Sequence, residues 1–232
     1  MHLTTSEEGL DLGTVVGKAV AVRHSNLAGE QRVMRLQQPY CVYQGHFSAE
    51  ICDHFIRLGS SLPPMQAEVA YDPDSNLRDS TVSWIRHTQV TSWVYELING
   101  IVVETNALHW KWAITGIESM QFTQYGPEQF YTWHADQRRQ PYDVNSRWPG
   151  QTRKISISVN LSDPGDYEGG GFVIEDPQTP PDDMSKRLKV LKEGRARGSA
   201  IIFPSHLYHR VNSVLSGKRC SLVAWFIGPP FV

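Results

Sequence analysis

The spacing of apolar positions along this 232-residue chain changes near Leu108, from a period close to 3.6 to a period of two. Before that point Ile51, Cys52, Phe55 and Ile56 recur on one helical stripe behind Ser48, whose hydroxyl suits an N-cap. Gly59 and the Pro63-Pro64 pair are expected to end this helix. Thr91 or Ser92 opens a second, with Trp93, Val94, Leu97, Ile98, Ile101 and Val102 on its stripe. Together these helices, within about residues 48–107, are expected to brace a sheet.

Beyond Leu108, Trp110-Lys-Trp112-Ala-Ile114 and Ile155-Ser-Ile157-Ser-Val159-Asn-Leu161 alternate as strands do. Further strands are expected over Met120 to Tyr125, Phe130 to Asp136, Gly171 to Glu175, Ser199 to Phe203, Tyr208 to Val211 and Arg219 to Ile227. Many short strands with polar turns point to a mostly β barrel or jelly roll with flanking helices. Asp176 to Arg187, with Pro177, Pro180 and Pro181, reads as a surface loop. Residues 1–36 are weakly patterned, and a flexible arm and a sheet-edge strand both remain open. Residues 37–232 read as one domain, with the barrel over about 108–232.

Composition narrows the function classes. An apolar content of 40% supports one sizeable core, and a formal charge of −2 supplies no basic field for nucleic acid or anionic membrane. Residues Met1 to Gly9 lack the order of a secretory signal, and no apolar run is long enough to span a bilayer. Cys41, Cys52 and Cys220 form an odd set without a C-x-x-C pair, which argues against a disulfide framework or zinc knuckle and suits a reducing cytoplasm.

A strand through Tyr131-Thr-Trp-His134-Ala-Asp136 would put His134 and Asp136 on one face, within reach of one ion. Alone, His-x-Asp is also the pattern of a hydrogen-bonded surface pair. His209 offers a third donor, and two histidines with one carboxylate leave open positions on an octahedral ion, as in non-haem iron(II) oxygenases. Arg219 follows ten residues later, with Leu215-Ser-Gly-Lys218 as a hairpin turn expected to place both residues on adjacent strands. A buried guanidinium needs an anion, and the distal carboxylate of 2-oxoglutarate supplies one. The positive charges of iron(II) and Arg219 would then balance the negative charges of Asp136 and 2-oxoglutarate.

His134-x-Asp136, His209 and Arg219 in this order resemble the motif of the prolyl 4-hydroxylase-type branch of the Fe(II)/2-oxoglutarate-dependent dioxygenases. Gln121-Phe-Thr-Gln-Tyr125-Gly, Asn160-Leu-Ser-Asp163 and Glu168-Gly-Gly-Gly171 are similar to bacterial hydroxylases of the prolyl/lysyl hydroxylase domain type, so the resemblance runs from about Gln121 to Phe226. It implies a cupin-like double-stranded β-helix. It also implies that His134, Asp136 and His209 ligate iron, that Arg219 grips 2-oxoglutarate, and that Tyr131 hydrogen-bonds the same carboxylate. Tyr125 and Asn160 become candidates for the cosubstrate wall, and Ser221 either adds a hydroxyl there or is satisfied within the core. Dioxygen and ascorbate complete the implied cofactors. An aspartate at position 136, where related halogenases carry a small residue, implies hydroxylation.

His206 competes with His209, and the spacing to Arg219 together with Val211 on the same face favours His209. His46, His54, His87 and His109 read as packing or surface residues. Trp225 reads as core, while Trp133 should face away from the metal and pack beneath the helices. Trp148 is either a substrate contact or a cover of the barrel mouth, and Gln137-Arg138-Arg139 reads as a solvated edge. Loops Asp72 to Ser80 and Gln137 to Arg153 are expected to flank the mouth. The resemblance implies a prolyl residue in a peptide or protein as substrate; lysyl residues, free proline, another small molecule, or a non-catalytic binding barrel stay open.

Overall fold

The structure is a computed structural model that describes residues 10–11, 38–67, 77–180 and 182–231. Most of the expected arm over 1–36, residues 72–76 of the first mouth loop, and Pro181 lie outside the described residues. In chain order the strands are β1 (Leu10–Asp11), β2 (Cys41–Tyr43), β3 (Met65–Gln66), β4 (Arg78–Asp79), β5 (Thr81–Ile85), β6 (Gly116–Ile117), β7 (Met120–Tyr125) and β8 (Phe130–His134). They continue as β9 (Thr152–Asn160), β10 (Tyr167–Gly169), β11 (Phe172–Glu175), β12 (Leu188–Val190), β13 (Ala200–Pro204), β14 (His209–Val211), β15 (Val214–Gly217) and β16 (Arg219–Gly228). The helices are α1 (Ala49–Ser61), α2 (Ser92–His109) and α3 (Met184–Arg187).

Antiparallel ladders order the large sheet β2-β13-β9-β16-β7-β5-β3, with β6 on β16, and the small sheet β12-β11-β14-β8-β4. Alternation along β9 and β16 explains the layers. Ile155, Ile157, Val159, Leu222, Ala224 and Phe226 face α1 and α2, and form the main core with Phe55, Ile98 and Phe122. Each large side chain buried there contributes about 1.5–3 kcal/mol. On the other face Ile201 and Phe203 of β13 meet Phe172, Ile174 and Val211 of the small sheet, so two sheets enclose a second core as in a jelly roll. The polar alternates Gln121, Thr123, Ser156, Ser158, Asn160 and Ser221 are buried between the sheets instead of solvated. The interior of the barrel is thus polar along one wall.

Several expectations need correction. Gly59 lies inside α1, and the helix ends at Leu62, before Pro63. That glycine is a contact, since a Cβ on it would sit 2.1 Å from Cγ of Phe122. Ser48 does cap α1, accepting from the Ile51 N–H, but Thr91 gives α2 no side-chain cap because its hydroxyl donates to the Arg86 carbonyl. Leu97 is more exposed than its stripe implied, at 37%. Trp110 to Ile114 forms no strand: α2 runs to His109, and Asn106 then accepts from the Trp112 N–H and donates to its carbonyl, which secures a turn with Lys111 at φ 55.

The hairpin expected between His209 and Arg219 is also absent. β14 belongs to the small sheet and β16 to the large one, because the intervening β15 pairs with β10 as a separate two-stranded ladder. Gly217 still makes the turn, at φ +77. Trp133 faces away from His134 but lies under Arg210, 4.9 Å from its guanidinium carbon, and lines a cavity with Tyr208, Leu188 and Met184 on the outside of the small sheet, not beneath α1 and α2. Trp148 is buried with Tyr142 against Ile227, so it covers the end of the barrel and offers little surface to a substrate. The loop Asp176 to Arg187 contains the one-turn helix α3.

Two glycine substitutions of opposite sign test this packing. Gly59→Ala should lower stability by about 1–3 kcal/mol through the clash with Phe122. Gly100→Ala, in the middle of α2 with no atom within 4 Å of the added Cβ, should raise it by about 0.5–1 kcal/mol. Urea unfolding of both variants reads the two signs.

Candidate metal centre

The small sheet builds the site. His134 ends β8 and His209 begins β14, and the two residues are partners in the ladder. Their side chains therefore leave the same face, with ring centroids 4.1 Å apart. Asp136 lies just past the end of β8, in a bend, and turns back toward both rings. His134 Nε2 is 3.7 Å from one Asp136 carboxylate oxygen and His209 Nε2 is 3.7 Å from the other. Among the described residues this is the group of three such side chains whose ligand atoms all lie within 4.8 Å of one another. His206 stands apart, exposed beside Trp112 and Phe231.

Hydrogen bonds prepare both imidazoles. Nδ1 of His134 lies 2.8 Å from the Thr132 carbonyl, and Nδ1 of His209 lies 3.1 Å from the Leu207 carbonyl. A carbonyl only accepts, so each Nδ1 carries a proton, which leaves Nε2 as the nitrogen of each ring that can ligate a cation. Burial, followed by the neighbouring His209, pushes His134 down to about 3. For Asp136 burial acts to raise the pKa, but His209, His134 and Arg153, with a hydrogen bond from Ser156, outweigh it and hold the carboxyl below its usual range. Two imidazoles and an ionised carboxylate form the donor set that suits a divalent iron-type cation.

Arg219 is 3% exposed. Its guanidinium contacts the Ser221 hydroxyl at 3.5 Å and lies 5.6 Å from the centre of the Tyr125 ring; no carboxylate among the described residues pairs with it. Such a group fits a bound dicarboxylic acid, since a lone buried guanidinium is costly. Gly170, at φ +60, admits the side chain: a Cβ there would stand 3.0 Å from Arg219 Cδ. Tyr131 stacks on His134 with centroids 3.5 Å apart, and burial raises its phenol to about 12, which keeps it a neutral donor. Asn160 is placed differently from the others. Its amide donates to the Ser162 and Arg195 carbonyls, which commits it to anchoring a loop.

Three charged residues of the interior were missed in the sequence. Arg153 makes a two-point bond to Glu118, at 2.7 and 2.6 Å, and stacks 4.0 Å over Trp225. Burial opposes its charge, but Glu118 and then Tyr142 hold it protonated. Strict alternation from Ile155 would turn Arg153 toward the helices. A register shift opposite Phe226 and Ile227 reverses the parity. Trp225, which precedes the shift and pairs with Ser156, shares the inward face of Ser221 by ordinary alternation and is buried there. Arg78, directly opposite Tyr131 in the β4–β8 ladder, had no periodic signal at all because β4 has two residues.

With this geometry in view, the sequence profile described as the 2OG-Fe(II) oxygenase superfamily matches residues 120–227. Over these residues the barrel of this chain resembles that superfamily. The match contains His134, Asp136, His209 and Arg219. A PKHD-type hydroxylase of Picosynechococcus sp. is 33% identical over 109 residues, covering 47% of this chain and 42% of that protein. Another, of Caulobacter sp., is 35% identical over 113 residues, covering 47% and 43%. The chain thus spans less than half the length of these curated relatives. The barrel also resembles the crystal structure of a Pseudomonas putida prolyl-4-hydroxylase, with a TM-score of 0.62, 16% identity and coverage of 81% of this chain and 92% of that one. A Trichoplax adhaerens prolyl hydroxylase, solved with a hypoxia inducible factor peptide fragment, gives a TM-score of 0.60 at 14% identity, covering 81% and 83%. At these identities the structural likeness is one of fold.

Two measurements test the centre. His209→Ala and Asp136→Ala should each weaken binding of iron(II), or of Mn(II) as its surrogate, by at least about 100-fold, whereas His206→Ala should leave it within about twofold; equilibrium dialysis separates these results. Metal-free protein should also lose stability on acidification. An unfolded histidine takes up a proton near 6.5 while folded His134 does not until about 3, so stability is full above 6.5 and falls below it. Urea unfolding at pH 5.5 should show a loss of about 1 kcal/mol from this group.

Proposed function

We propose that this protein is an iron(II)- and 2-oxoglutarate-dependent dioxygenase that hydroxylates a C–H bond, with a prolyl residue of a peptide or protein as its substrate. The observation that carries this reading is the convergence of His134, Asp136 and His209 inside a barrel that also buries Arg219, which has no carboxylate partner among the described residues. The three donors would hold the ion, and Arg219 would take the distal carboxylate of 2-oxoglutarate with Ser221 and Tyr125 beside it. Tyr131 would supply a neutral hydroxyl to the same wall. Iron(II) with 2-oxoglutarate and dioxygen, when bound, supplies the oxidising power for C–H hydroxylation.

The protein's own contribution is orientation and exclusion of water. Glu118 accepts from Tyr142 and from Arg153, which ties the loop after Asp136 to the wall of the barrel, and Trp148 closes that end over Ile227. Asp136, held ionised, keeps the donor set at two imidazoles and one carboxylate and leaves no protein position for a halide, which supports hydroxylation. The prolyl assignment is supported by relatives named as PKHD-type hydroxylases and by structural neighbours named as prolyl hydroxylases.

The test is aerobic incubation with iron(II), 2-oxoglutarate and a panel of proline-containing peptides. Succinate should form, and mass spectrometry should find one added oxygen on a prolyl residue. Asp136→Ala should abolish both products, and unchanged succinate formation in that variant would overturn the assignment. Arg219→Ala should raise the Kd for 2-oxoglutarate by about 100-fold, the value of a buried two-point ionic contact, with metal affinity retained.

A further inference from the structure

Resting on the oxygenase reading, the geometry points to Arg78 as a second anion site in the barrel, one that takes a carboxylate of the substrate itself. Its guanidinium carbon lies 4.6 Å from the centre of the Tyr131 ring. Tyr131 in turn stacks on His134, so the guanidinium stands within about 8 Å of a candidate metal ligand. Nε donates to the Ser80 hydroxyl at 2.8 Å, and one terminal nitrogen donates to Gln121 Oε1 at 2.8 Å and to the Thr123 hydroxyl at 3.4 Å. All three acceptors are neutral. Asp79, next in sequence, is engaged by the Gln66 and Gln129 amides at 2.9 and 2.7 Å. Among the described residues no carboxylate pairs with Arg78, and its second terminal nitrogen is left to donate.

The charges of the interior say what belongs there. Arg153 is neutralised by Glu118. Arg219 would be matched by the cosubstrate, and the donor set by the ion. Arg78 is left with a full positive charge facing the reacting region. While the barrel is open, water solvates that charge, because Arg78 is only half-buried. A substrate that covers the site displaces this water. A neutral carbonyl would return one hydrogen bond, whereas a carboxylate returns a charge-assisted pair and balances the cavity. The recognised group is the α-carboxylate of a free or C-terminal residue, or the side chain of an acidic residue next to the reacting one; the two sources share the same chemistry.

Calorimetry on the Mn(II)- and 2-oxoglutarate-loaded protein without oxygen tests this with matched pairs. Gly-Pro against Gly-Pro-amide probes the terminal carboxylate, and acetyl-Pro-Asp-amide against acetyl-Pro-Asn-amide probes the side chain. In at least one pair the acid should bind about 10–100-fold tighter than its amide partner, the range of a hydrogen bond to a charged group. Arg78→Gln should erase that preference, and Arg78→Lys should retain part of it, with Mn(II) and 2-oxoglutarate affinities within about twofold of the parent in both. Absence of any acid preference in the parent, persistence of the preference in Arg78→Gln, or loss of 2-oxoglutarate binding in both variants overturns the assignment. If the parent itself takes up neither Mn(II) nor 2-oxoglutarate, the oxygenase reading fails first, and the loading step reports that separately.

Discussion

The pairing of His134 with His209 across two antiparallel strands is the constraint on which the rest of the site depends. Side chains of cross-strand partners leave the same face of a sheet at a fixed spacing, so the ladder register alone brings two imidazoles to one point. A slip of one residue would send one ring to the outside, where Trp133 now lies. Asp136 can join them because the strand stops at His134 and the chain bends. The local carbonyls of Thr132 and Leu207 then fix the tautomers, which makes the donors ready before any ion arrives.

Electrostatics within the barrel follow from the same layering. The wall opposite the small sheet is largely polar because every second residue of β7, β9 and β16 turns inward, among them Gln121, Thr123, Ser156, Ser158, Asn160, Arg219 and Ser221. Charges placed there are little screened, so each must be matched or left for a ligand. Glu118 matches Arg153. Arg219 and Arg78 have no acidic partner among the described residues. The pattern of matched and unmatched cations is therefore a description of what the cavity is built to receive.

Alternation and the order of four residues made much of this visible in the sequence. The period of two in β9 and β16 reads directly, and the structure brings the ligand atoms of His134, Asp136 and His209 within 4.8 Å of one another. Distance along the chain misled at the segment between His209 and Arg219, since a short stretch with Gly217 looks like a hairpin whether or not its flanks pair with each other. Pairing with Tyr167–Gly169 is a long-range choice that leaves no local mark. Arg153 was hidden by the parity reversal near Lys154, and Arg78 by the brevity of its strand. Trp110 to Ile114 alternates without pairing, because Asn106 holds it in a turn. Gly59 carried a helix-breaking residue type for a packing reason, visible only once Phe122 stood against it.

The ladder between His134 and His209 joins residues about 75 positions apart. Closing so wide a span has a large entropic cost, and chains dominated by distant contacts fold slowly. Neither imidazole therefore meets its partner until β8 and β14 have paired. Cation capture is in this architecture a seal on a finished chain, unlike the zinc finger, whose metal directs the folding itself.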